Sequence, residues 1–140
     1  MSDAPTIVMD NGTAYSKIGY AGNMEPSYIL PSYIATREKN KSRSNMVIDD
    51  LVYYIGDEAK TKKTDASNWN VRKIMKNGVI DDWDAIEKYW HKSMYEYLRC
   101  DPTQHNFILT EPPMNPPETR EQVAEIMFET FGVKGLYIGV

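Results

Sequence analysis

The sequence is poor in cysteine and has no long apolar run. Its single cysteine, Cys100, cannot form an internal disulfide and supplies too few sulfur ligands for a structural zinc site, which favours a reducing compartment. No apolar stretch approaches the ~18 to 20 residues of a membrane helix, and Met1–Pro5 lacks the basic start and apolar core of a secretory signal. We therefore expect a cytoplasmic protein without a membrane partner.

An excess of basic charge is also absent. The chain has 16 Lys and Arg against 20 Asp and Glu, a net charge of −4, so it lacks the electrostatic footprint of a nucleic-acid-binding protein. Thr36–Asn45 is nevertheless locally basic, through Arg37, Lys39, Lys41 and Arg43, and it is predicted to be a solvated, mobile loop. With 140 residues, 41% of them hydrophobic, the chain can form one packed domain or half of a larger one.

Conventional catalytic and metal-binding patterns are missing as well. The two histidines, His91 and His105, fall in different predicted elements with no second ligand at helical spacing, which disfavours a metal site. Cys100 has only Arg99 as an activating neighbour, and no Ser-His-Asp or Cys-His arrangement can be argued from spacing. The residues thus name no catalytic group.

What is present at the start is the segment "MDNGTAYSKIGYAG", Met9–Gly22, which permits two interpretations. Asn-Gly between two extended segments is a strong hairpin signal, so Asn11-Gly12 predicts a plain turn. Alternatively, the turn is a phosphate cradle.

In the cradle interpretation, successive backbone N–H groups of a tight turn point into one concavity, as a bound anion requires. These would be the amides of Gly12, Thr13, Ala14 and Tyr15. Lys17 would add a positive charge for a β- or γ-phosphate, and Asp10 would accept from water on a phosphate-bound Mg²⁺. The segment does not match the Walker pattern.

Apolar periodicity along the chain predicts an α/β fold. Strands are expected at Thr6–Asp10, Ser16–Ala21, Leu51–Ile55, Asn106–Thr110 and 135–140, with a helical turn begun by Asp57. Thr61–Asn77 reads as polar and irregular. Residues from Tyr33 to about Asn70 are interpreted as a small subdomain inserted into the main sheet.

Two longer helices are predicted in the second half. The first is capped by Asp81 or Asp82 and carries a buried stripe formed by Trp83, Ile86, Trp90, Met94 and Tyr97.

The second helix has Asn115 as cap, Pro116 at its first position and Glu118 in its first turn. It ends at Gly132, and its apolar face is formed by Val123, Ile126, Met127 and Phe131. Because a strand precedes and another follows it, these two strands should be parallel and joined by a right-handed crossover.

Several segments in order resemble the actin superfamily, and within it the actin-related proteins more than actin. The segments are "MDNGTAYSKIGYAG", "IGDEA", "NGVIDDWDAIEKYW", "LTEPPMNPPETRE" and "IMFETF", and they cover nearly the whole chain. The resemblance implies a ribonuclease-H-like mixed sheet with flanking helices and a small inserted α+β subdomain, of which about the first lobe is present. Residues 1–32 and 71–140 match an incomplete first subdomain, and 33–70 match the second.

The resemblance also implies ATP and Mg²⁺ between two lobes. Gly12, Thr13, Ala14 and Tyr15 match the first phosphate loop, Lys17 matches its phosphate-binding lysine, and Asp10 matches the acidic residue near the hydrated metal. The family commonly has glycine where this chain has Ala14. Its second phosphate loop lies beyond the counterpart of Val140, so the 140 residues alone are expected to bind ATP weakly.

The function implied is that of a nucleotide-binding cytoskeletal subunit with at most slow regulatory ATP hydrolysis, not an enzyme. It would belong to the actin-related-protein complex that starts a daughter filament from the side of an existing one. Expected partners are the other subunits of that complex, actin and nucleation-promoting factors. The alternatives are an actin-fold small-molecule kinase and a conventional filament-forming actin.

Overall fold

The computed structural model describes residues 4–37 and 52–140. Its strands are β1 (Ile7–Asn11), β2 (Tyr15–Tyr20), β3 (Tyr28–Pro31), β4 (Tyr33–Arg37), β5 (Tyr53–Ile55), β6 (Trp69–Lys73), β7 (Met75–Lys76), β8 (Val79–Ile80), β9 (Asn106–Thr110) and β10 (Gly135–Gly139). Its helices are α1 (Gly56–Thr61), α2 (Trp83–Lys92) and α3 (Pro117–Glu125). Wider π-helical turns extend α2 through Ser93–Leu98 and α3 through Ile126–Thr130, and 3₁₀ turns lie at Lys62–Asp65 and Pro102–Gln104.

The main sheet has the strand order β10-β9-β1-β2-β3. β1 pairs antiparallel with β2, whereas β9 pairs parallel with both β1 and β10. The predicted parallel arrangement of the strands around α3 is therefore confirmed. Since β1, β9 and β10 run in the same direction, their carboxyl ends meet at one edge of the sheet.

One face of this sheet carries the principal core. Alternate residues of the central strands, such as Ile7 and Met9 of β1 and Phe107 of β9, are almost fully buried against α2 and α3. Period-two alternation places these side chains on the helix side, while Asp10 and Lys17 point to the other face. Trp90 is fully buried, and truncating such a side chain to alanine typically costs about 3 to 5 kcal/mol.

Helix α2 begins as predicted. The Asp82 carboxylate accepts a hydrogen bond of 3.0 Å from the Ala85 N–H, so Asp82 is the cap. The predicted stripe faces the core, but it is wider than expected because Tyr89 is also fully buried. The Tyr89 hydroxyl donates to the carbonyl of Pro31 at 3.1 Å, which satisfies its polar end inside the protein.

The predicted start of α3 is wrong in detail. Pro116 is the cap residue, Pro117 is the first helical residue, and no side chain caps the helix. Asn115 instead donates from Nδ2 to the Glu111 carboxylate at 3.0 Å. This bond holds the Asn115 side chain toward Glu111, and its Oδ1, the atom that would cap the helix, accepts no hydrogen bond within the described residues. The rest of the helix agrees with the prediction, since Val123, Met127 and Phe131 are buried.

A second sheet of three strands has the order β5-β4-β6 and its own small core of Ala35, Ala59 and Trp69. The chain enters it after Ser32 and leaves it at Ile74. The prediction that Thr61–Asn77 is irregular is wrong, because β6 and β7 lie within this range. β6 is an edge strand, and only one of its faces packs against the small core, so its sequence reads as polar.

The predicted loop at the basic run, Thr36–Asn45, falls largely outside the described residues. Thr36 and Arg37 belong to β4 and are not part of a loop, whereas 38–51 lie outside the described ranges. The predicted strand Leu51–Ile55 is observed as Tyr53–Ile55. The division of the chain into 1–32 with 71–140 and 33–70 stays a prediction.

Candidate functional site

The β1–β2 hairpin places Asp10 and Lys17 directly opposite each other in the ladder. Both side chains are exposed, and both line a surface hollow of about 310 Å³ on the sheet face away from the helices. Within the described ranges, neither residue forms an ion pair at 4 Å or less, since the salt bridges involve other residues. The Lys17 ammonium is therefore available to an anion.

The turn between these strands differs from the predicted Asn-Gly turn. Asn11 is the last residue of β1, and Asn11 and Gly12 both have negative φ. The Gly12 N–H donates to the Tyr15 carbonyl at 3.0 Å, so Thr13 and Ala14 form the tip. A Cβ atom on Gly12 would lie 2.7 Å from that carbonyl oxygen. Glycine is needed at residue 12 for space and not for a left-handed backbone.

This geometry separates the four predicted phosphate-binding amides into two groups. The Gly12 amide closes the hairpin. Those of Thr13, Ala14 and Tyr15 donate no hydrogen bond within the part of the chain that the structure describes. Three consecutive unengaged N–H groups at a turn are the donors that an anion-binding concavity uses. Their role toward phosphate stays a prediction.

Ser32 anchors the tip, and sequence reasoning missed it. Its side chain is fully buried and its hydroxyl donates to the Gly12 carbonyl at 2.7 Å, while its N–H donates to the Ala14 carbonyl at 3.0 Å. The carbonyls of Gly12 and Ala14 thus both accept hydrogen bonds from Ser32. A serine directly after Pro31 between two apolar segments was the only signal of a buried polar anchor.

A second anchor joins the tip to another turn. Thr13 Oγ1 accepts a hydrogen bond of 2.7 Å from the N–H of Gly78. Asn77 and Gly78 link β7 to β8, and both have positive φ, at 53° and 79°. These angles fit a tight type I′ turn. The first turn thus rests on a compact second turn 65 residues away in sequence.

The edge beside the hairpin fixes Asp10. Thr110, the last residue of β9, donates from Oγ1 to Asp10 Oδ1 at 2.8 Å and accepts from the Asn11 N–H at 3.3 Å. The Asn11 side chain accepts from Trp90 Nε1 at 3.3 Å. Helix α2 and strand β9 therefore hold both residues in place. Thr110 is a further residue of the site that sequence reasoning did not single out.

Two charged residues, Glu111 and Arg120, form an ion pair next to the same edge of the sheet. The Glu111 side chain is only 5% exposed and pairs with Arg120, and hydrogen bonds from Arg120 and Asn115 lower the pKa of its carboxyl. A cavity of about 30 Å³ lies between this pair and Asn11. Within the described residues, Asn115 Oδ1 is buried and has no hydrogen-bond partner.

The other candidate groups have structural explanations. His91 is exposed and lies with its ring centre 4.6 Å from that of Tyr95, whereas His105 is buried with Nδ1 at 2.6 Å from the Pro5 carbonyl. Burial raises the pKa of Cys100 to about 11, so its thiol is inert at neutral pH. The described ranges contain no cluster of three side chains suited to hold a metal directly.

A single carboxylate suits a magnesium ion held through its water molecules. Mg²⁺ keeps several waters and is commonly bound by one or two carboxylates together with phosphate oxygens. One oxygen of Asp10 accepts from Thr110, and the other makes no hydrogen bond within the described residues. Asp10 therefore fits an indirect contact and could not form a complete site alone.

The architecture defines a class of protein. A mixed sheet with helices against one face, interrupted by a second small sheet between β3 and β7, is an actin-fold domain. The family model described as "Actin" matches residues 1–140, so this chain belongs to the actin family.

Two curated relatives extend the comparison. The chain is 48% identical over 97% of its length to "Actin-related protein 3" of Caenorhabditis elegans. It is 46% identical over 99% of its length to "Actin-related protein 3" of Dictyostelium discoideum. The chain spans about a third of the length of these relatives, with 34% covered in each case. In the described residues, no helix is long and apolar enough to cross a membrane.

Proposed function

We propose that this chain supplies one side of the ATP site of an actin-related protein that nucleates branched actin filaments. The observation that carries the proposal is the open tip of the β1–β2 hairpin, where three consecutive amides are unengaged. Lys17 and Asp10 flank that tip on the exposed face of the sheet. The likeness to two proteins named Actin-related protein 3 supports the cytoskeletal part of the proposal.

Each group has a distinct part in binding. The N–H groups of Thr13, Ala14 and Tyr15 donate to phosphate oxygens, and the Lys17 ammonium neutralises phosphate charge. Asp10 accepts from water on Mg²⁺, and the bound ion would reduce the charge repulsion between phosphates. Ser32 and Gly78 keep the tip in position before the nucleotide arrives, so less ordering is required on binding.

The proposed role is structural, with at most slow regulatory hydrolysis in the full-length protein. A tight site requires a second lobe opposite the hairpin, and closure of the two lobes on ATP would favour a filament-like arrangement of the subunit. The partners in this proposal are the other subunits of the actin-related-protein complex, actin and nucleation-promoting factors. The location is the cytoplasmic actin cytoskeleton.

Isothermal titration of the full-length protein with Mg-ATP tests the phosphate role. Lys17→Ala is expected to weaken affinity by roughly ten- to a hundredfold, the range for a lost hydrogen bond to a charged group. Lys76→Ala is the matched control, because Lys76 is also an exposed lysine on a hairpin strand, directly before the Asn77-Gly78 turn. Equal affinity of the Lys17 variant and the native protein would contradict the proposal.

A further inference from the structure

Three lysines surround one tyrosine ring on the small sheet. The ammonium groups of Lys60, Lys63 and Lys73 lie 5.8, 4.4 and 5.9 Å from the ring centre of Tyr33. These four residues are called the lysine–tyrosine cluster below. Each distance is within the reach of a cation–π interaction, so the ring attracts all three charges to one place.

The fold brings the cluster together from three elements. Tyr33 and Lys73 are directly opposite in the β4–β6 ladder and therefore share a face of the small sheet. Lys60 follows the fully buried Ala59 in α1, which packs over that face, and Lys63 lies in the 3₁₀ turn that follows. The positions of the ammonium groups thus follow from packing that also builds the small core.

The cluster has no carboxylate of its own in the described part of the chain. The salt bridges formed there use Arg72, Lys88, Lys92 and Arg120, and none of the three clustered lysines. The acidic groups next to them are directed elsewhere. Asp65 accepts from Ser67 and Asn68 within its own turn, and Glu58 accepts from Tyr97. Among the described residues, no carboxylate thus forms an ion pair with any of the three ammonium groups.

This concentration of positive charge makes an anionic partner favourable. Because each ammonium lies within 6 Å of one ring centre, any two are less than about 12 Å apart. The Debye length at physiological salt is about 8 Å, so the closer pairs among them repel each other with only partial screening. Lys62 adds a fourth charge beside the cluster, at 4.5 Å from the ring centre of Tyr54. An anion bound here would relieve repulsion among groups that the fold holds close.

We infer that the lysine–tyrosine cluster is a docking surface for an acidic segment of a partner protein. Alternate side chains of an extended chain lie on one side about 7 Å apart, so two carboxylates can reach two ammonium groups of the cluster together. Lysine presents a rotatable point charge suited to single carboxylates, whereas planar, bidentate phosphate recognition favours arginine. The inference is independent of the ATP proposal.

Two observations favour a protein segment over a membrane. The exposed large apolar residues of the described chain do not include any member of the cluster, so no side chain there is suited to enter a bilayer. The whole chain is also acidic, with a net charge of −4, which opposes a general attraction to anionic lipid. A local positive surface on an acidic protein selects acidic segments that approach at that one place.

Binding of a fluorescein-labelled deca-glutamate peptide to the full-length protein tests the inference by anisotropy at two salt concentrations. The variant Lys60→Gln with Lys63→Gln and Lys73→Gln is expected to weaken binding at least tenfold. A matched variant, Lys76→Gln with Arg99→Gln and Lys134→Gln, removes three positive charges at other exposed sites and should change affinity less than threefold.

The ring provides a finer test. Tyr33→Phe keeps the aromatic face and should preserve peptide affinity, whereas Tyr33→Leu removes it and should weaken binding severalfold. Thermal unfolding and Mg-ATP titration of each variant serve as folding controls, so that loss of peptide binding with ATP binding intact identifies the cluster alone.

Three outcomes would overturn the inference. One is equal loss of peptide affinity in the cluster variant and the matched variant, which would indicate general charge attraction. Another is no binding of the peptide to the native protein. The third is binding of vesicles with 20% phosphatidylserine, or of inorganic phosphate, that depends on the three lysines while the peptide does not bind.

Discussion

The two Asn-Gly turns of this chain have the same dipeptide and different structures. Asn77-Gly78 forms a two-residue turn in which both residues have positive φ, between the paired residues Lys76 and Val79. Asn11-Gly12 has no positive φ, and its strand pairing continues to Asn11 opposite Ser16. The first turn is displaced toward Thr13 and Ala14.

Tertiary contacts explain the difference. The Asn11 backbone donates to Thr110 and its side chain accepts from Trp90, so Asn11 is held as a strand residue. The second turn needs no such support, because its left-handed residues provide the reversal locally. When neighbouring residues impose the shape of a turn, as at Asn11, backbone amides at its tip can be left without partners and so be available to a ligand. When the residues of the turn determine its shape themselves, as at Asn77-Gly78, the turn is compact and offers no such tip.

The largest effect is expected from Gly12→Ala. The new Cβ would lie 2.7 Å from the Tyr15 carbonyl oxygen, which is backbone and cannot move aside cheaply. Overpacking of this kind costs about 1 to 3 kcal/mol of the free energy of unfolding. Urea unfolding of the full-length protein measures the change. Native stability in this variant would show that the two strands need not approach so closely at the turn.

The two turns should also respond differently to asparagine. At Gly78 the difficulty is the positive φ, so Gly78→Ala should cost about 1 to 2 kcal/mol and Gly78→Asn clearly less. At Gly12 the difficulty is space, so Gly12→Asn should cost at least as much as Gly12→Ala. The four variants are compared by urea unfolding. A rescue by asparagine at both positions would remove the distinction between the turns.

The contact between the turns predicts a smaller effect. Thr13→Val removes the oxygen that accepts from the Gly78 N–H while keeping the side-chain shape. We expect a loss of about 1 kcal/mol, the usual cost of leaving a partly buried donor unpaired. Thr13→Ser retains the acceptor and is the control. If the valine and serine variants unfold at the same urea concentration, the bond contributes nothing to stability.

The smallest effect is expected on the pH dependence of stability. It involves Asp82, which follows the second turn and caps α2. Burial alone would raise the pKa of this carboxyl, but hydrogen bonds from Ala85 and Arg72 and the charge of Arg72 outweigh it and lower the pKa below 3.8. A carboxyl with a lower pKa in the folded state stabilises the protein fully above its ordinary pKa. That stabilisation is lost as the pH falls through the lowered value.

Asp82→Asn keeps an acceptor for the cap and removes the ion pair with Arg72. The variant should therefore lose less stability than the native protein as the pH falls from 5 to 3, by about a few tenths of a kcal/mol for a partly exposed pair. Thermal unfolding across that pH range measures the difference. Identical acid dependence of the two proteins would exclude a contribution from Asp82.

The sequence predicted the elements whose signal is local and strongly periodic. The stripe of α2 and the strand Asn106–Thr110 agree with the structure because burial of one face requires a regular pattern. The edge strand β6 was missed because only one of its faces packs against the small core. The predicted cap at Asn115 is wrong because a hydrogen bond from its Nδ2 to Glu111, four residues earlier, holds the side chain there, and no side chain caps the helix.

The candidate site was predictable only in part. Asp10 and Lys17 could be placed at the hairpin because register follows from alternation, and the structure shows them opposite each other. Ser32, Thr110 and Gly78 reach the hairpin through contacts between residues distant in sequence, which no local pattern reports. Of the four predicted amides, the one that is engaged, that of Gly12, bonds within the hairpin to the Tyr15 carbonyl.

Ser32 also connects the hairpin to the small sheet through hydrogen bonds. The chain enters that sheet after Ser32 and leaves it at Ile74, and the Ile74 N–H donates to the Ser32 carbonyl at 3.1 Å. Both crossings are thus bonded side by side, while the same serine holds the carbonyls of Gly12 and Ala14. The hydrogen bonds of Ser32 are therefore one direct connection along which a displacement of the small sheet would reach the tip of the hairpin.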